Sequence, residues 1–182
     1  MSTYYKLCFL LTFSISQISC NSGSKESIDW IDIIDLQEIN DSSPNKNIIF
    51  LFDPSCGTCD SLRIEAFGNP NLNLFLNDHF NLAELNVYDK RTVTLANRKW
   101  KTIIDLKGYE YHSLATAFTG ENKIETPLIL FLDENLKLIV PIKKRINDSE
   151  LELLAHFISE DHYKLGMNIE DFTKGFEYKF TQ

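Results

Sequence analysis

Two five-residue runs, Ile48-Ile49-Phe50-Leu51-Phe52 and Leu128-Ile129-Leu130-Phe131-Leu132, are apolar at every position. A strand with one face in water would alternate, so an unbroken run fits a strand covered on both faces within a largely parallel sheet. Asp53-Pro54-Ser55 breaks the first run. Residues 56–67 then place Cys59, Leu62, Arg63, Ala66 and Phe67 at helical spacing, and Gly68 is expected to supply a left-handed residue at the helix end. Asn69-Pro70-Asn71 restarts the chain, with a short helix predicted over 72–76 and a strand over 80–87. The second run follows Thr126-Pro127 and leads into a turn at Asp133-Glu134-Asn135, so residues 136–140 should return antiparallel.

The remaining pattern is uneven. Asn147 with Glu150 three residues on predicts a capped helix whose buried stripe is Leu151, Leu154, Ala155 and Ile158. Ile169, Phe172 and Phe176 mark a further amphipathic piece near the end. Residues 28–39 are densely apolar and fit a short strand followed by a helix, with an ambiguous period, and 41–45 form a turn cluster. Residues 89–125 are the least patterned, except that 111–118 read as a short helix stopped by Gly120. No internal repeat occurs. Strands interleaved with helices imply an α/β class and a central mixed sheet with helices on both faces.

Composition adds bounds. With 182 residues, 43% apolar and thirteen Phe, one domain with a single core is expected, and disorder is excluded for most of the chain. A net charge of −8 without a long Lys/Arg cluster argues against nucleic-acid binding.

Residues 1–19 read as a secretory signal, with Lys6 preceding an apolar run at 7–13 too short to span a bilayer. Ser19-Cys20 then resembles the lipobox of bacterial lipoproteins, in which the Cys becomes the lipid-carrying N-terminus; Gln17 stands where Leu is usual. An ordinary signal peptide and a single-pass anchor are the alternatives. Residues 20–27 would be a lipid-anchored tether, small and polar from Asn21 to Glu26, and 28–182 the folded domain. A cell-envelope location follows from this reading. Cys8 would leave with the leader and Cys20 would be capped, so Cys56 and Cys59 remain as thiols in an oxidising compartment.

Cys56-Gly57-Thr58-Cys59 sits where a buried strand turns into a helix. Free N–H groups and the helix dipole there stabilise a thiolate on the first Cys. The second lies one turn on, placed to resolve a mixed disulfide. With Ile48 to Phe52 before it, Thr126-Pro127 heading an apolar hairpin, and a closing helix, the chain resembles the thioredoxin family over roughly residues 28–178. The segment from His112 to Phe118, the hairpin and the tail look particularly like bacterial periplasmic thioredoxin-related proteins. The resemblance implies catalytic roles for Cys56 and Cys59, a cis Pro127 beside them, and substrate docking on the backbone of Thr126. It implies protein disulfides as substrates, a membrane thiol carrier as electron donor and a monomeric state; no bound organic cofactor is expected, since the sequence has no glycine-rich nucleotide loop.

The sequence departs from the family at Phe50, where thioredoxin has a buried acid, and at Ser55, where it has Trp. The 71-residue interval from Cys56 to Pro127 is longer than in a minimal thioredoxin, so 89–111 is expected to be an insertion. Other readings of the same residues are a zinc site with His156 and His162, a copper carrier using His112, a structural clip in a non-catalytic binding module, or a metal chaperone. None is preferred: His112 is expected on the surface, Asp29, Asp32 and Asp35 on a solvated face, and Trp30 and Trp100 as core or surface anchors. No metal is assigned.

Overall fold

The computed structural model describes residues 27–118 and 124–181. Its centre is a five-stranded sheet built from β1 (Ile31–Asp32), β2 (Lys46–Phe52), β3 (Phe80–Asn86), β8 (Leu128–Leu132) and β9 (Leu138–Ile142) in the order β1-β3-β2-β8-β9. β1, β3 and β2 are parallel, whereas β8 runs antiparallel to β2 and β9 antiparallel to β8. The unbroken apolar runs are explained by this arrangement. Ile48, Phe50, Ile129 and Phe131 enter one core, and Ile49, Leu51, Leu128, Leu130 and Leu132 the other.

The first core is closed by helices: α2 (Gly57–Phe67), α3 (Pro70–His79) and α5 (Asp148–Ser159). α3 is longer than the 72–76 expected, because Asn69 accepts the N–H groups of Asn71 and Leu72 and Pro70 occupies the first turn. Asn147 and Glu150 form the expected capping box on α5. α6 (Ile169–Gly175) follows a 3-10 turn at His162–Leu165, and the segment after it folds back on α5. There the Glu152 carboxylate, fully buried, accepts the N–H groups of Lys179, Phe180 and Thr181 and the Thr181 hydroxyl at 2.5–3.0 Å.

The second core is closed differently. Besides α1 (Leu36–Ser42) and α4 (Leu114–Ala117), its cover is the hairpin β4 (Val93–Leu95) and β5 (Arg98–Trp100). A second hairpin, β6 (Thr102–Ile104) and β7 (Glu110–His112), continues from it. The helix expected over 111–118 is thus shortened to four residues, since Tyr111 and His112 belong to β7. Gly120, its expected stop, lies outside the described residues.

Two further expectations are corrected. Gly68 is not left-handed, with φ −87°. Its lack of a side chain matters because any Cβ there would collide with the Ile64 carbonyl oxygen as α2 runs into α3. Leu136 belongs to the turn, at φ 60°, and the return strand starts at Leu138. At the start of β2, buried Asn47 donates to Asn40 Oδ1 and to the carbonyls of Asn45 and Asp133 at 2.8–3.1 Å, and accepts from Asn81.

Candidate functional site

Asp53 shapes the turn after β2. Its carboxylate accepts the Ser55 N–H and hydroxyl, each at 2.7 Å, while its carbonyl accepts the Cys56 N–H at 3.0 Å. This Asx-type turn ends the strand and starts the helix two residues later. The same hydroxyl and N–H of Ser55, with the Tyr88 hydroxyl at 3.2 Å, hold the Asp53 carboxyl below its usual range. Tyr88 is held above its own, by desolvation and then by the Asp53 charge.

Cys56 is the N-cap of α2, in extended conformation. Its sulfur accepts the Cys59 N–H at 3.1 Å and lies 3.0 Å from the Thr58 hydroxyl. Cys56 and Cys59 form a disulfide across the first turn, with 5.3 Å between Cα atoms. The two sulfurs differ in access. Cys56 is half-buried at the rim, while Cys59 is 2% exposed within the first core. On reduction, the donors around Cys56 favour a thiolate there, and the apolar surroundings of Cys59 favour the neutral thiol.

Thr126-Pro127 is a cis peptide bond. Leu128 pairs with Leu51, so Pro127 flanks the end of β2 from which the Cys56 turn departs. The structure therefore brings Cys56, Cys59, Thr126 and Pro127 to one pole of the sheet. Cys20 lies outside the described residues. His156 and His162 are far from the cysteines in the fold and share one carboxylate, Glu160, at 2.9 and 3.0 Å. His112 is a correction: it is fully buried, not on the surface. Its Nε2 donates to the Arg91 carbonyl and its Nδ1 accepts the Leu114 N–H, and burial holds its pKa below the ordinary value. Asp29, Asp32 and Asp35 are exposed as expected, and Trp30 and Trp100 pack against the two cores.

Where thioredoxin carries an acid, Phe50 is wholly buried, and its neighbour on β3 is Glu84. Arg63, one turn after Cys59 on α2, bonds Glu84 at 2.7 Å and lies 4.7 and 4.8 Å from the ring centres of Phe50 and Phe52. A polar cleft of about 320 Å³, lined among others by Glu84, Asp32, Asp89 and Arg91, opens beside this pair. Glu84 and Tyr88 escaped the sequence reading. Glu84 did leave a signal, as the one charge inside the strand predicted over 80–87.

The sequence matches no protein-family model and no curated protein. Among solved structures, a thioredoxin-fold protein from Helicobacter pylori superposes with a TM-score of 0.51 at 16% identity, over 72% of this chain and 79% of that one. The fold is the thioredoxin fold. Two further thioredoxin-fold likenesses are a DsbH oxidoreductase (TM-score 0.48, 12% identity, 90% of this chain and 96% of that one) and a variant thioredoxin from Halobacterium salinarum (0.41, 12%, 74% and 93%). In this thioredoxin fold the Cys pair opens the first long helix after a central strand, and the cis Pro127 heads the antiparallel hairpin beside it.

Proposed function

We propose that the protein is a thiol–disulfide oxidoreductase of the cell envelope that reduces protein disulfides through Cys56 and Cys59. The observation that carries this reading is the asymmetry of the pair: a half-buried helix-capping sulfur with two donors, against a buried partner one turn on. The Cys56 thiolate attacks a substrate disulfide, forming a mixed disulfide and expelling one substrate thiolate, which takes up a proton. Cys59 loses its proton and attacks Cys56, releasing the second substrate thiol and leaving the Cys56–Cys59 disulfide. Two electrons pass to substrate, and a membrane thiol carrier returns them. Thr126 and Pro127 dock the substrate backbone, no bound organic cofactor takes part, and the protein acts as a monomer tethered by lipid on Cys20.

Direction follows from charge. Gly57 and Thr58 add no cation between the cysteines, and Asp53 and Asp60 stand close in sequence, so the Cys56 thiolate is only modestly favoured. The expected potential is nearer about −270 mV, as in thioredoxin, than about −120 mV, as in a strong oxidant. Equilibration with glutathione buffers measures it, and a value above about −180 mV would reverse the direction.

The deciding test is dithiothreitol-driven reduction of insulin by the purified protein. Wild type should accelerate it and Cys56→Ser should abolish the acceleration, while Cys59→Ser should accumulate a mixed disulfide on Cys56. Equal activity of Cys56→Ser and wild type would overturn the assignment. No acceleration by wild type would favour the binding-module reading instead.

A further inference from the structure

The β6–β7 hairpin has exposed apolar side chains that its own packing does not use. Of the nine large apolar residues exposed among the described residues, four (Tyr88, Ile104, Leu106 and Tyr109) lie on this hairpin or at its base. The other five are scattered over four other parts of the chain. Clustering of this kind marks contact surfaces, whereas single exposed apolar residues are ordinary.

The hairpin is held firmly. At its base the His112 N–H donates to the Val87 carbonyl at 2.7 Å, the Ser113 N–H to the Lys101 carbonyl at 2.9 Å, and the Thr102 hydroxyl to the Asp89 carbonyl at 3.2 Å. At its tip the Asp105 carboxylate accepts the N–H groups of Lys107 and Tyr109 at 2.8 and 2.9 Å, and the Asp105 N–H returns to the Tyr109 carbonyl. Leu106, fully exposed, is therefore displayed on an ordered turn.

Its position links it to the cysteines. A cleft of about 380 Å³ lies between the hairpin, Tyr88 and Ile124. Tyr88 bonds Asp53, the residue that sets the Cys56 turn, and Ile124 stands two residues before the cis Thr126–Pro127 bond. The cleft is thus tied to the Cys56 turn through Tyr88 and to the cis-proline segment through Ile124. Charge at its mouth is balanced, Asp105 and Glu110 against Lys107 and the Lys90 that pairs Glu110, so apolar contact is what remains to select a ligand.

Resting on the thiol–disulfide reading above, we infer that the β6–β7 hairpin selects the substrate: an extended polypeptide segment with an aromatic or large aliphatic side chain beside its disulfide-bonded cysteine. That side chain seats among Tyr88, Tyr109 and Tyr111 while the sulfur reaches Cys56. A small disulfide such as that of glutathione lacks the anchoring group.

The test compares two disulfide-bridged peptides, identical except for Phe or Ser near the cysteine, with glutathione disulfide as a third substrate. For the full-length protein, kcat/KM should favour the Phe peptide by roughly tenfold, the scale expected for burying about half or more of one large apolar side chain. Leu106→Ser/Tyr109→Ser should bring the ratio close to one, while Leu165→Ser, an exposed apolar site elsewhere, should keep it. As a check independent of variants, a Phe peptide with its cysteines replaced by serine should perturb the NMR signals of residues 104–111 in the wild-type protein. A ratio near one in wild type, an undiminished ratio in the double variant, or a peptide that leaves those signals unmoved would each overturn the inference. Wild type that reduces none of the three substrates would instead remove the underlying activity.

Discussion

The two layers that sandwich the sheet are built on different principles. One is helical: α2, α3 and α5 lay apolar stripes on Ile48, Phe50, Ile129 and Phe131, and the tail is clamped onto α5 by Glu152. The other is assembled from short pieces, two of them hairpin strands that bring Val93, Leu95 and Trp100 onto Ile49, Leu51 and Leu130. A helix buries a continuous stripe with its backbone bonds already internal. A three-residue strand buries alternate side chains and must find its partners in a neighbour. The helical layer should therefore carry more of the stability, and the hairpin layer more of the freedom to vary. The cysteines open the helical layer, while the hairpin layer contributes Tyr111 beside Tyr88 at the rim of the same pole.

The largest effect should come from the helical side. Phe131→Ala removes a fully buried ring and should cost about 3–5 kcal/mol in denaturant unfolding. Trp100→Ala, on the half-buried hairpin cover beneath Arg98, should cost about 1–2 kcal/mol. Equal losses would erase the contrast. Glu152→Ala should fall between them at about 2–3 kcal/mol, because three backbone N–H groups lose their acceptor, and peeling of the tail caps the loss. Limited proteolysis after Tyr178 should then become fast. A tail that stays protected would mean that Phe176 and Phe180, packed on His156, hold it without the carboxylate.

The smallest effect is a pH dependence confined to the hairpin layer. Burial lowers the His112 pKa in the folded state, so between that value and the unfolded value of about 6.5 the unfolded chain binds more protons. The contribution from neutral His112 is therefore complete above about pH 6.5 and is lost as pH falls toward the folded pKa. Urea midpoints at about pH 7 and pH 5 should fall further apart for wild type than for His112→Gln. An equal fall in both would assign the acid sensitivity to other groups.

This contrast also sets what the sequence discloses. Ile48 to Phe52, the Asn147–Glu150 box and the Cys56 helix start are each announced within a few residues, because strand burial, capping and helix periodicity are local signals. The 89–111 segment is not, since strands of three residues give one or two alternations, and their buried faces are fixed by distant partners such as Leu36 and Leu130. The burial of His112 is hidden from the sequence for the same reason. Its burial depends on the Arg91 carbonyl and on Val87, neither of which its neighbours in sequence indicate. The cysteines and Thr126-Pro127 are legible as a pair of short motifs, and the cis state of that bond through the family resemblance they carry, whereas the Tyr88–Asp53 bond requires knowing that β3 lies beside β2.

The asparagine at the foot of β2 has a consequence for the other end of that strand. A run that is apolar on both faces carries little information about its own alignment, since sliding it by one residue exchanges one greasy side chain for another. Asn47 removes that ambiguity. Only one alignment gives its amide Asn40, Asn45 and Asp133 as acceptors and Asn81 as donor, and any other strands a polar group in a dry interior at about 1–3 kcal/mol. It acts as the zero mark of a ruler: with the strand's origin set, Asp53 and Cys56 are delivered to one fixed height beside the cis peptide.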